Sequence, residues 1–443
     1  MVIKTIGIMT GNSLDAVDVV LTSFDEKTIK DEGCFSLAYP QNLREKFLVL
    51  KDLFARKENH FEIFQSDFFK NTVDEYTCLV AQTVNMLLEK CSVDKKDIAA
   101  IGFHGQTCDH FPPSVAKGEE PYTLQVGDAQ KLADLTDIPV IYDFRSDDIM
   151  NGGEGAPLAP LHNLHLAQAI KKQGFENVAF CNGGNTGNIA VVNQNQVVGW
   201  DIGPFNHLPD LLMRKHKNLP YDKNGEFGKK GKINSELLRK MFNHVAVCAD
   251  GENFYLKLPP KSSDPHWYQE IYDGALSFED NLRTAEYLSA YTFVYNLQYI
   301  SSEFELPGLY LLFGGGWNNE LILNDFKNII TQKGLILSEH IQTFEAIYKR
   351  LPTAVTADFS DKFGFSGEYM EARIFADMAY AKIIDQPFSK PEISGCRQPT
   401  VDGIFVLPRN GKKYLLQELL NQYNNPAQPE KTPLMWSRAA KGW

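Results

Sequence analysis

Short polar turns rich in glycine follow apolar runs at three places in this chain of 443 residues. The first turn lies in residues 7–18, the second in residues 182–188 and the third in residues 314–319. Because glycine has no Cβ, several backbone N–H groups of such a turn can point into one concavity and bind phosphate oxygens. The pattern therefore favours folds in which strands end in turns that bind one common ligand.

One turn of this kind is a structural hairpin in most proteins, whereas three copies with matching flanks favour a nucleotide clamp. The pattern resembles the duplicated actin, sugar kinase and Hsp70-type ATPase fold, in which two hairpins grip the phosphates and a third segment lies beneath the adenosine. No G-x-x-x-x-G-K-[ST] sequence occurs, which disfavours a P-loop enzyme. We predict an α/β, two-lobed, duplicated ATPase fold with an active-site cleft between the lobes.

Length and charge narrow the class of protein further. At about 150 residues per domain the chain corresponds to two or three domains, and we expect two lobes. The formal net charge of −12 disfavours a nucleic-acid partner, which needs clustered Lys and Arg. The seven cysteines are never in C-x-x-C spacing, which argues against a zinc site and fits a reducing cytoplasm. Because no leader and no apolar stretch of about 18 residues is seen, we expect no membrane association.

Apolar periodicity indicates where the elements lie. Helices are predicted over residues 43–56, 61–91, 282–305, 369–383 and 415–423. Strands are predicted at residues 99–103, 122–126, 139–142 and 197–201. We expect an N-terminal lobe over residues 1–145 with the first phosphate hairpin and a C-terminal lobe over residues 146–383. The segment 384–443 is expected to return to the N-terminal lobe.

Asp201 is the leading candidate for a catalytic group. It ends a predicted strand and is followed by Gly203 and Pro204, which turn the backbone away and leave the carboxylate accessible. A carboxylate in this position can take a proton from an attacking oxygen. An aspartate that caps the following helix is an equally good interpretation from these residues alone.

Ordered segments along the chain resemble one enzyme family, over about residues 3–405. They are Gly7-Ile8-Met9-Thr10-Gly11-Asn12-Ser13-Leu14-Asp15-Ala16-Val17-Asp18, His104-Gly105-Gln106-Thr107, Asp143-Phe144-Arg145, residues 152–158, 220–225 and 259–262, Gly314-Gly315-Gly316 and residues 366–372. Together these segments resemble the anhydro-N-acetylmuramic acid kinase family, which includes levoglucosan kinase.

The resemblance implies phosphoryl transfer from ATP, with Mg²⁺, to a 1,6-anhydro sugar together with hydrolytic opening of the anhydro bridge. Asp201 would activate water, while the departing sugar oxygen attacks the γ-phosphate. The expected sugar is 1,6-anhydro-N-acetylmuramic acid released during cell-wall recycling. Alternatives that stay open are a kinase for another anhydro or free sugar such as levoglucosan, and a weakened pseudokinase that binds sugar or nucleotide. A homodimer is also left open.

The resemblance also assigns site residues. Sugar binding falls to His104, Gln106, Arg145 and Glu371, and metal contacts, directly or through water, to Asp15 and Asp201. The nucleotide-binding residues are Gly11, Asn12, Ser13, Leu14, Asp15, Ala16, Val17, Asp18, Gly183, Gly184, Asn188, Gly314, Gly315 and Gly316. Other interpretations remain: Asp18 could be a structural strand residue, His104 a core group, Arg145 an ion-pair partner of Asp143, Asp147 or Asp148, and Glu371 an exposed helix residue.

The sequence departs from the family pattern near Asp201. The family's D-T-G-P-G-N is here Asp201 to Asn206 with Ile202 and Phe205, and its K-S-T-G-R-E is Lys261 to His266 without the arginine. Asn12 replaces a threonine in the opening motif. We expect the ring of Phe205 either to fill part of the sugar pocket or to push the local loop outward.

Overall fold

The computed structural model describes residues 2–11, 14–25, 28–56, 60–116, 119–156, 158–193, 196–259, 261, 263, 265–409, 415–423 and 425. Over these residues the chain is a mixed α/β protein, as predicted. The predicted nucleotide residues Asn12 and Ser13 lie outside the described residues.

Strands and helices alternate along the described part of the chain. The strands are β1 (Ile3–Thr10), β2 (Ala16–Phe24), β3 (Ile29–Ala38), β4 (Ala100–Phe103), β5 (Gln106–Phe111), β6 (Tyr122–Val126), β7 (Val140–Tyr142), β8 (Asn177–Gly183), β9 (Thr186–Asn193), β10 (Gln196–Pro204), β11 (Leu309–Phe313), β12 (Thr356–Phe359) and β13 (Ile404–Val406). The helices are α1 (Gln41–Ala55), α2 (His60–Gln65), α3 (Asp67–Cys91), α4 (Pro113–Ala116), α5 (Ala129–Thr136), α6 (Phe144–Met150), α7 (Ala159–Lys171), α8 (His207–Lys217), α9 (Ser235–His244), α10 (Phe278–Tyr295), α11 (Glu320–Ile330), α12 (Ile341–Arg350), α13 (Met370–Ile383), α14 (Pro391–Ser394) and α15 (Leu415–Gln422). None of the described helices is both long enough and apolar enough to cross a membrane.

Two of the sheets repeat one topology. The first has the order β13-β7-β4-β1-β2-β3 and the second the order β10-β9-β8-β11-β12. In each, three consecutive antiparallel strands (β1-β2-β3 and β8-β9-β10) adjoin two parallel strands that arrive after crossovers. The predicted duplication is therefore present in the strand order itself. The first sheet gains one further antiparallel strand, β13, on β7.

The chain divides into two compact units with boundaries that differ from the predicted lobes. Unit 1 comprises Met1–His162 and Gly364–Trp443, and unit 2 comprises Asn163–Phe363. Residues just after 145 belong to unit 1 because hydrogen bonds join them to the C-terminal part of the chain. The Glu154 N–H donates to the Ser394 carbonyl oxygen (2.9 Å), and the Asn151 amide donates to Thr400 (2.6 Å).

Helix α13 belongs to unit 1 because it packs directly on the first sheet, against β1, β2 and β4. A Cβ on Gly7 would lie 1.9 Å from the carbonyl oxygen of Ala372, and one on Gly102 would lie 2.0 Å from that of Phe375. The helix thus reaches the backbone of β1 and β4 at two glycines. Arg373, fully buried on the same helix, donates its Nε–H to Asp31 of β3 (2.7 Å), so the contact is also anchored by an ion pair.

Unit 2 buries one core between its sheet and helices α8 to α12. Helix α10 begins after Ser277, whose side chain accepts a hydrogen bond from the Asp280 N–H as an N-cap. The helix ends at Tyr295 and continues as one 3-10 segment to Tyr299, so the predicted helical extent to residue 305 is too long. Apolar and aromatic residues beyond Tyr299 continue the periodicity but pack in a non-helical segment, which periodicity alone does not distinguish.

The close approach of α13 predicts an intolerance to any side chain at Gly102. Gly102→Ala should lower the free energy of unfolding by about 1–3 kcal/mol or more, since helix or strand must shift to admit the methyl group. Guanidinium unfolding followed by circular dichroism measures the change. Gly274→Ala is the matched control, because a Cβ there would meet nothing within 4 Å. Equal stabilities of the two variants would contradict the described packing.

Candidate active site

The first glycine turn lies between β1 and β2 in unit 1. The Leu14 N–H donates to the Gly11 carbonyl oxygen (3.3 Å), and Leu14 is buried with a φ of +55°. A leucine rarely adopts this left-handed conformation, so the surrounding packing must hold it there. Asp15 follows immediately, exposed to solvent. The turn therefore presents an acidic side chain from a strained, well-anchored backbone.

Gln106 holds this turn by a hydrogen bond to its backbone. Its side chain is fully buried, its Nε2 donates to the Gly11 carbonyl oxygen (3.3 Å), and its Oε1 accepts from the Tyr39 hydroxyl (2.8 Å). Both ends of the amide are thus engaged inside unit 1. Gln106 thus helps to position the first turn, and its expected contact with sugar stays a prediction.

Arg145 and His104 form a hydrogen-bonded pair. The Arg145 Nε–H donates to His104 Nε2 (2.9 Å), and Nη1 donates to the Gly155 carbonyl oxygen (2.7 Å). His104 is therefore neutral, with its proton on Nδ1, and burial and the Arg145 charge hold its pKa well below the ordinary value. Desolvation lowers the pKa of Arg145 to about 10, against the opposing effects of Glu371 and Asp148. The guanidinium remains charged at neutral pH.

Glu371 brings a carboxylate to the same part of unit 1. It is an exposed residue in the first turn of α13, as one interpretation held, but its carboxyl group is not isolated. Desolvation and the carboxylates of Asp18 and Asp15 raise the pKa of Glu371, and the charge of Arg145 opposes this rise. Asp18 itself accepts a hydrogen bond from Ser36 (2.7 Å) on β3. The predicted residues Asp15, Asp18, Arg145 and Glu371 are therefore electrostatic neighbours.

The second and third glycine turns meet in unit 2. Strands β8 and β11 are parallel neighbours, so the turns that follow them lie at one edge of the sheet. Gly314 has a φ of +91°, and a Cβ there would lie 2.5 Å from Asn182 Oδ1 and 2.9 Å from the Gly183 carbonyl oxygen. Gly315 is exposed, with nothing within 4 Å of its Cβ position. The two turns form one backbone surface that is open at Gly315.

Phe205 fills the space beneath this surface. Its ring is buried, with its centroid 4.7 Å from that of Trp317. A Cβ on Gly183 or Gly316 would lie 2.7 Å or 2.6 Å from Phe205 Cε1. The ring belongs to the core of unit 2, and the left-handed position nearby is Gly203, with a φ of +119°. The expectation that Phe205 fills a sugar pocket is therefore wrong: the ring supports the two turns from behind.

Asp201 does not end its strand, because β10 continues to Pro204. The pairing with β9 shifts register between Asp201 and Gly203, which is a β-bulge, a feature that redirects a side chain. The carboxylate Oδ2 accepts hydrogen bonds from the Ser263 N–H (2.8 Å) and the Ser263 hydroxyl (3.3 Å). The hydrogen bonds from Ser263 therefore orient the Asp201 carboxylate. Asp201 does not cap α8, whose N-cap is Asn206.

Lys261 is a buried cation next to Asp201. Its carbonyl oxygen accepts the Asp201 N–H (3.1 Å), and its Nζ lies 4.9 Å from the ring centroid of Phe254 and 4.7 Å from that of Tyr299. Burial lowers its pKa to about 7, with Cys248 and Asp201 acting in the opposite direction. Lys261 can therefore lose its proton near neutral pH, unlike an exposed lysine.

Glu286 and Asn319 anchor the third turn. Asn319 caps α11 through the Leu321 N–H (3.0 Å), and its Nδ2 donates to Glu286 Oε1 (2.8 Å). Glu286 is fully buried on α10, and its pKa is raised to about 8, mainly by desolvation, with the Asp222 carboxylate adding to the shift. A protonated carboxyl group therefore holds the segment after Gly316 at neutral pH.

Metal binding by protein groups alone is not indicated in the described part of the chain. No cluster of three or more His, Cys, Asp or Glu side chains with the geometry of a metal site occurs there. Mg²⁺ is commonly held by one or two carboxylates together with substrate phosphates and water. Asp15 of unit 1 and Asp201 of unit 2 each place a carboxylate near a glycine turn of their own unit, and their contact with Mg²⁺ stays a prediction.

Four residues near the site were not predicted from the sequence. Ser263 and Tyr39 contact the predicted site residues Asp201 and Gln106, Tyr268 contacts Ser263, and Glu286 contacts Asn319 at the third turn. The signal available for Ser263 was its hydroxyl at the threonine position of the family segment at residues 261–266. Glu286 and Tyr39 lie on elements distant in sequence from the residues they hold, so only the fold reveals them.

The repeated strand order and the glycine turns at the sheet edges define a duplicated ATPase fold of the actin, sugar kinase and Hsp70 type. The chain belongs to the anhydro-N-acetylmuramic acid kinase family, whose model matches residues 3–343.

Similar proteins include two with that description. The anhydro-N-acetylmuramic acid kinase of Idiomarina loihiensis is 30% identical over 417 residues, which cover 91% of this chain and 99% of the relative. That of Neisseria meningitidis serogroup C is 31% identical over 405 residues, which cover 90% and 97%. Among solved structures, the ROK hexokinase of Thermus thermophilus matches with a TM-score of 0.37 and 14% identity, covering 86% of this chain and 99% of that one.

The raised pKa of Glu286 predicts a loss of stability as pH rises. Between its ordinary value of 4.5 and about 8 the unfolded chain releases a proton that the folded chain keeps, so stability falls across this window. Glu286→Gln cannot ionise, and its amide still accepts from Asn319. We expect the free energy of unfolding of this variant, relative to that of the parent, to be higher at pH 8 than at pH 5 by about 1–3 kcal/mol.

Guanidinium unfolding at several pH values between 5 and 8 provides the test. Glu45→Gln, a change at an exposed glutamate of α1, is the control and should follow the parent. Parallel pH profiles for parent and Glu286→Gln would show that Glu286 does not retain its proton in the folded protein.

Proposed function

We propose that this protein is an ATP-dependent kinase that converts 1,6-anhydro-N-acetylmuramic acid to its 6-phosphate while opening the anhydro bridge by hydrolysis. Water adds to the anomeric carbon and its proton passes to Asp201. The bond from that carbon to O6 breaks, and O6 attacks the γ-phosphorus as ADP leaves. The protein would serve the recycling of cell-wall sugar in the cytoplasm, where ATP is available.

The position of Asp201 carries this proposal. Its strand pairing shifts register directly after it, Ser263 fixes Oδ2 with two hydrogen bonds, and the Lys261 carbonyl oxygen accepts its backbone N–H. An ionised, fixed carboxylate is what a general base requires. The strand that carries it pairs with β9, whose first residue, Thr186, lies in the second glycine turn, so the base and this turn belong to one antiparallel ladder.

Sugar recognition is assigned to Arg145, Glu371 and His104. Arg145 is oriented by His104 and by the Gly155 carbonyl oxygen, which leaves a charged planar group with further donors suited to hydroxyl or carboxylate oxygens. The lactyl carboxylate of N-acetylmuramic acid is a suitable partner for such a group. Glu371 would accept hydrogen bonds from sugar hydroxyls.

Nucleotide binding is assigned to the three glycine turns, with Asp15 and Asp201 directed to Mg²⁺, directly or through water. The open backbone at Gly315 supports this assignment, since no Cβ obstructs an approaching phosphate or ribose there. When bound, Mg²⁺ neutralises charge on the phosphate oxygens. Alignment of O6 with the γ-phosphate then depends on the same turns.

A coupled assay of ADP release across a panel of sugars tests the function. The panel contains 1,6-anhydro-N-acetylmuramic acid, levoglucosan, N-acetylmuramic acid and glucose. We expect the highest kcat/KM for the first sugar. A preference for levoglucosan would assign another anhydro sugar, and tight nucleotide binding without ADP release for any sugar would indicate a pseudokinase.

Replacing the base should separate binding from chemistry. Asp201→Asn keeps the shape of the side chain but cannot accept the proton, so we expect turnover to fall about 100- to 10,000-fold with ATP affinity retained. Rapid-quench kinetics and nucleotide titration measure the two quantities. A rate within tenfold of the parent would overturn the assignment of Asp201 as the general base.

A further inference from the structure

A chain of hydroxyl groups runs from Asp201 to the second glycine turn. Ser263 Oγ lies 3.3 Å from Asp201 Oδ2, Tyr268 Oη lies 2.7 Å from Ser263 Oγ, and Thr186 Oγ1 lies 2.8 Å from Tyr268 Oη. All four residues belong to unit 2. These hydrogen bonds connect the carboxylate to Thr186, the first residue of β9, which lies within the second turn.

The direction of this chain is fixed when Asp201 is ionised. A carboxylate only accepts, so the Ser263 hydroxyl donates to Asp201. Ser263 Oγ then accepts from the Tyr268 hydroxyl, which accepts in turn from Thr186. Donors aligned in sequence polarise one another, which strengthens the hydrogen bond at the carboxylate.

Tyr268 is held in place by its surroundings. The residue is buried, and its ring makes an edge contact with His207 at a centroid distance of 5.0 Å. His207 Nδ1 lies 3.1 Å from Asn185 Oδ1, and the His207 N–H donates to the Asn185 carbonyl oxygen (3.3 Å). Tyr268 thus contacts the second turn by its hydroxyl, through Thr186, and by its ring, through His207.

We propose that Tyr268 is a positioning residue that couples the orientation of Asp201 to the second glycine turn, so that a triphosphate bound at this turn also fixes the base. The proposal rests on the assigned role of Asp201. Tyr268 acts through Ser263 and Thr186 and has no contact with the reacting atoms in this scheme. Its hydroxyl is the part of the side chain that the coupling requires.

Tyr268→Phe removes only that hydroxyl and keeps the ring beside His207. We expect kcat to fall about 10- to 100-fold, as for a displaced catalytic group, with KM for ATP and sugar changed less than threefold. Tyr348→Phe is the matched control, because it removes a part-buried hydroxyl of the same unit that donates to the Ile329 carbonyl oxygen (2.8 Å). The control should retain the parent kcat.

Two further variants distinguish positioning from a general effect on folding. Ser263→Thr keeps a hydroxyl in the chain and should retain most of the rate, whereas Ser263→Ala should lose about as much as Tyr268→Phe. In the Asp201→Asn background, Tyr268→Phe should cause no additional loss, because the group that it positions is already inactive.

An additional loss of tenfold or more in the Asp201→Asn background would overturn the proposal, as would a parent-like kcat for Tyr268→Phe. These failures differ from failure of the proposed function. If Asp201→Asn alone retains the parent rate, the general-base assignment fails first; if Asp201→Asn is inactive and Tyr268→Phe is fully active, only the coupling through Tyr268 is wrong.

Discussion

Close approach at glycine residues is the constraint on which the functional parts of both units depend. In unit 1 helix α13 rests on Gly7 and Gly102, where a Cβ would lie about 2 Å from a helix carbonyl oxygen. The same helix carries Glu371. In unit 2 the ring of Phe205 occupies the space left by Gly183 and Gly316. Packing of this density permits little adjustment, so the residues attached to these elements have defined positions.

Hydrogen bonds then fix the orientation of side chains and turns on these closely packed elements. Arg145 selects the tautomer of His104, Gln106 ties Gly11 to Tyr39, and Asn319 ties the third turn to Glu286. Each contact joins a glycine turn or a candidate ligand group to a buried partner from another element. Buried partners that hold the candidate ligand groups in this way determine whether a site is rigid enough for catalysis.

Much of the fold follows from local sequence patterns. The apolar runs before each glycine turn predict strands, and the repeated order of hairpin and crossover strands predicts the duplication that the two sheets display. The pattern did not reveal the end of α10 or the continuation of β10 past Asp201, because neither a helix end nor a β-bulge has a strong periodicity signal.

The candidate site was less predictable than the fold. The motifs identify candidate site residues from the sequence. They do not predict where the Phe205 ring points, because an aromatic ring in a turn can point to solvent, to a ligand or into the core. Its burial depends on three glycines that lie at 183, 187 and 316 in the sequence. The partners of Asp201 depend likewise on a segment about 60 residues away, whose approach only tertiary structure shows.

The most direct test of the account follows the bridging oxygen of the sugar. With 1,6-anhydro-N-acetylmuramic acid carrying ¹⁸O at the anhydro bridge, the proposed reaction breaks the bond to the anomeric carbon and passes this oxygen to the γ-phosphorus. Phosphorus-31 NMR of the 6-phosphate should therefore show the isotope shift of a bridging ¹⁸O. A product phosphate without that shift, or inorganic phosphate released beside an intact anhydro sugar, would contradict the coupled hydrolysis and phosphorylation proposed for Asp201 and the glycine turns.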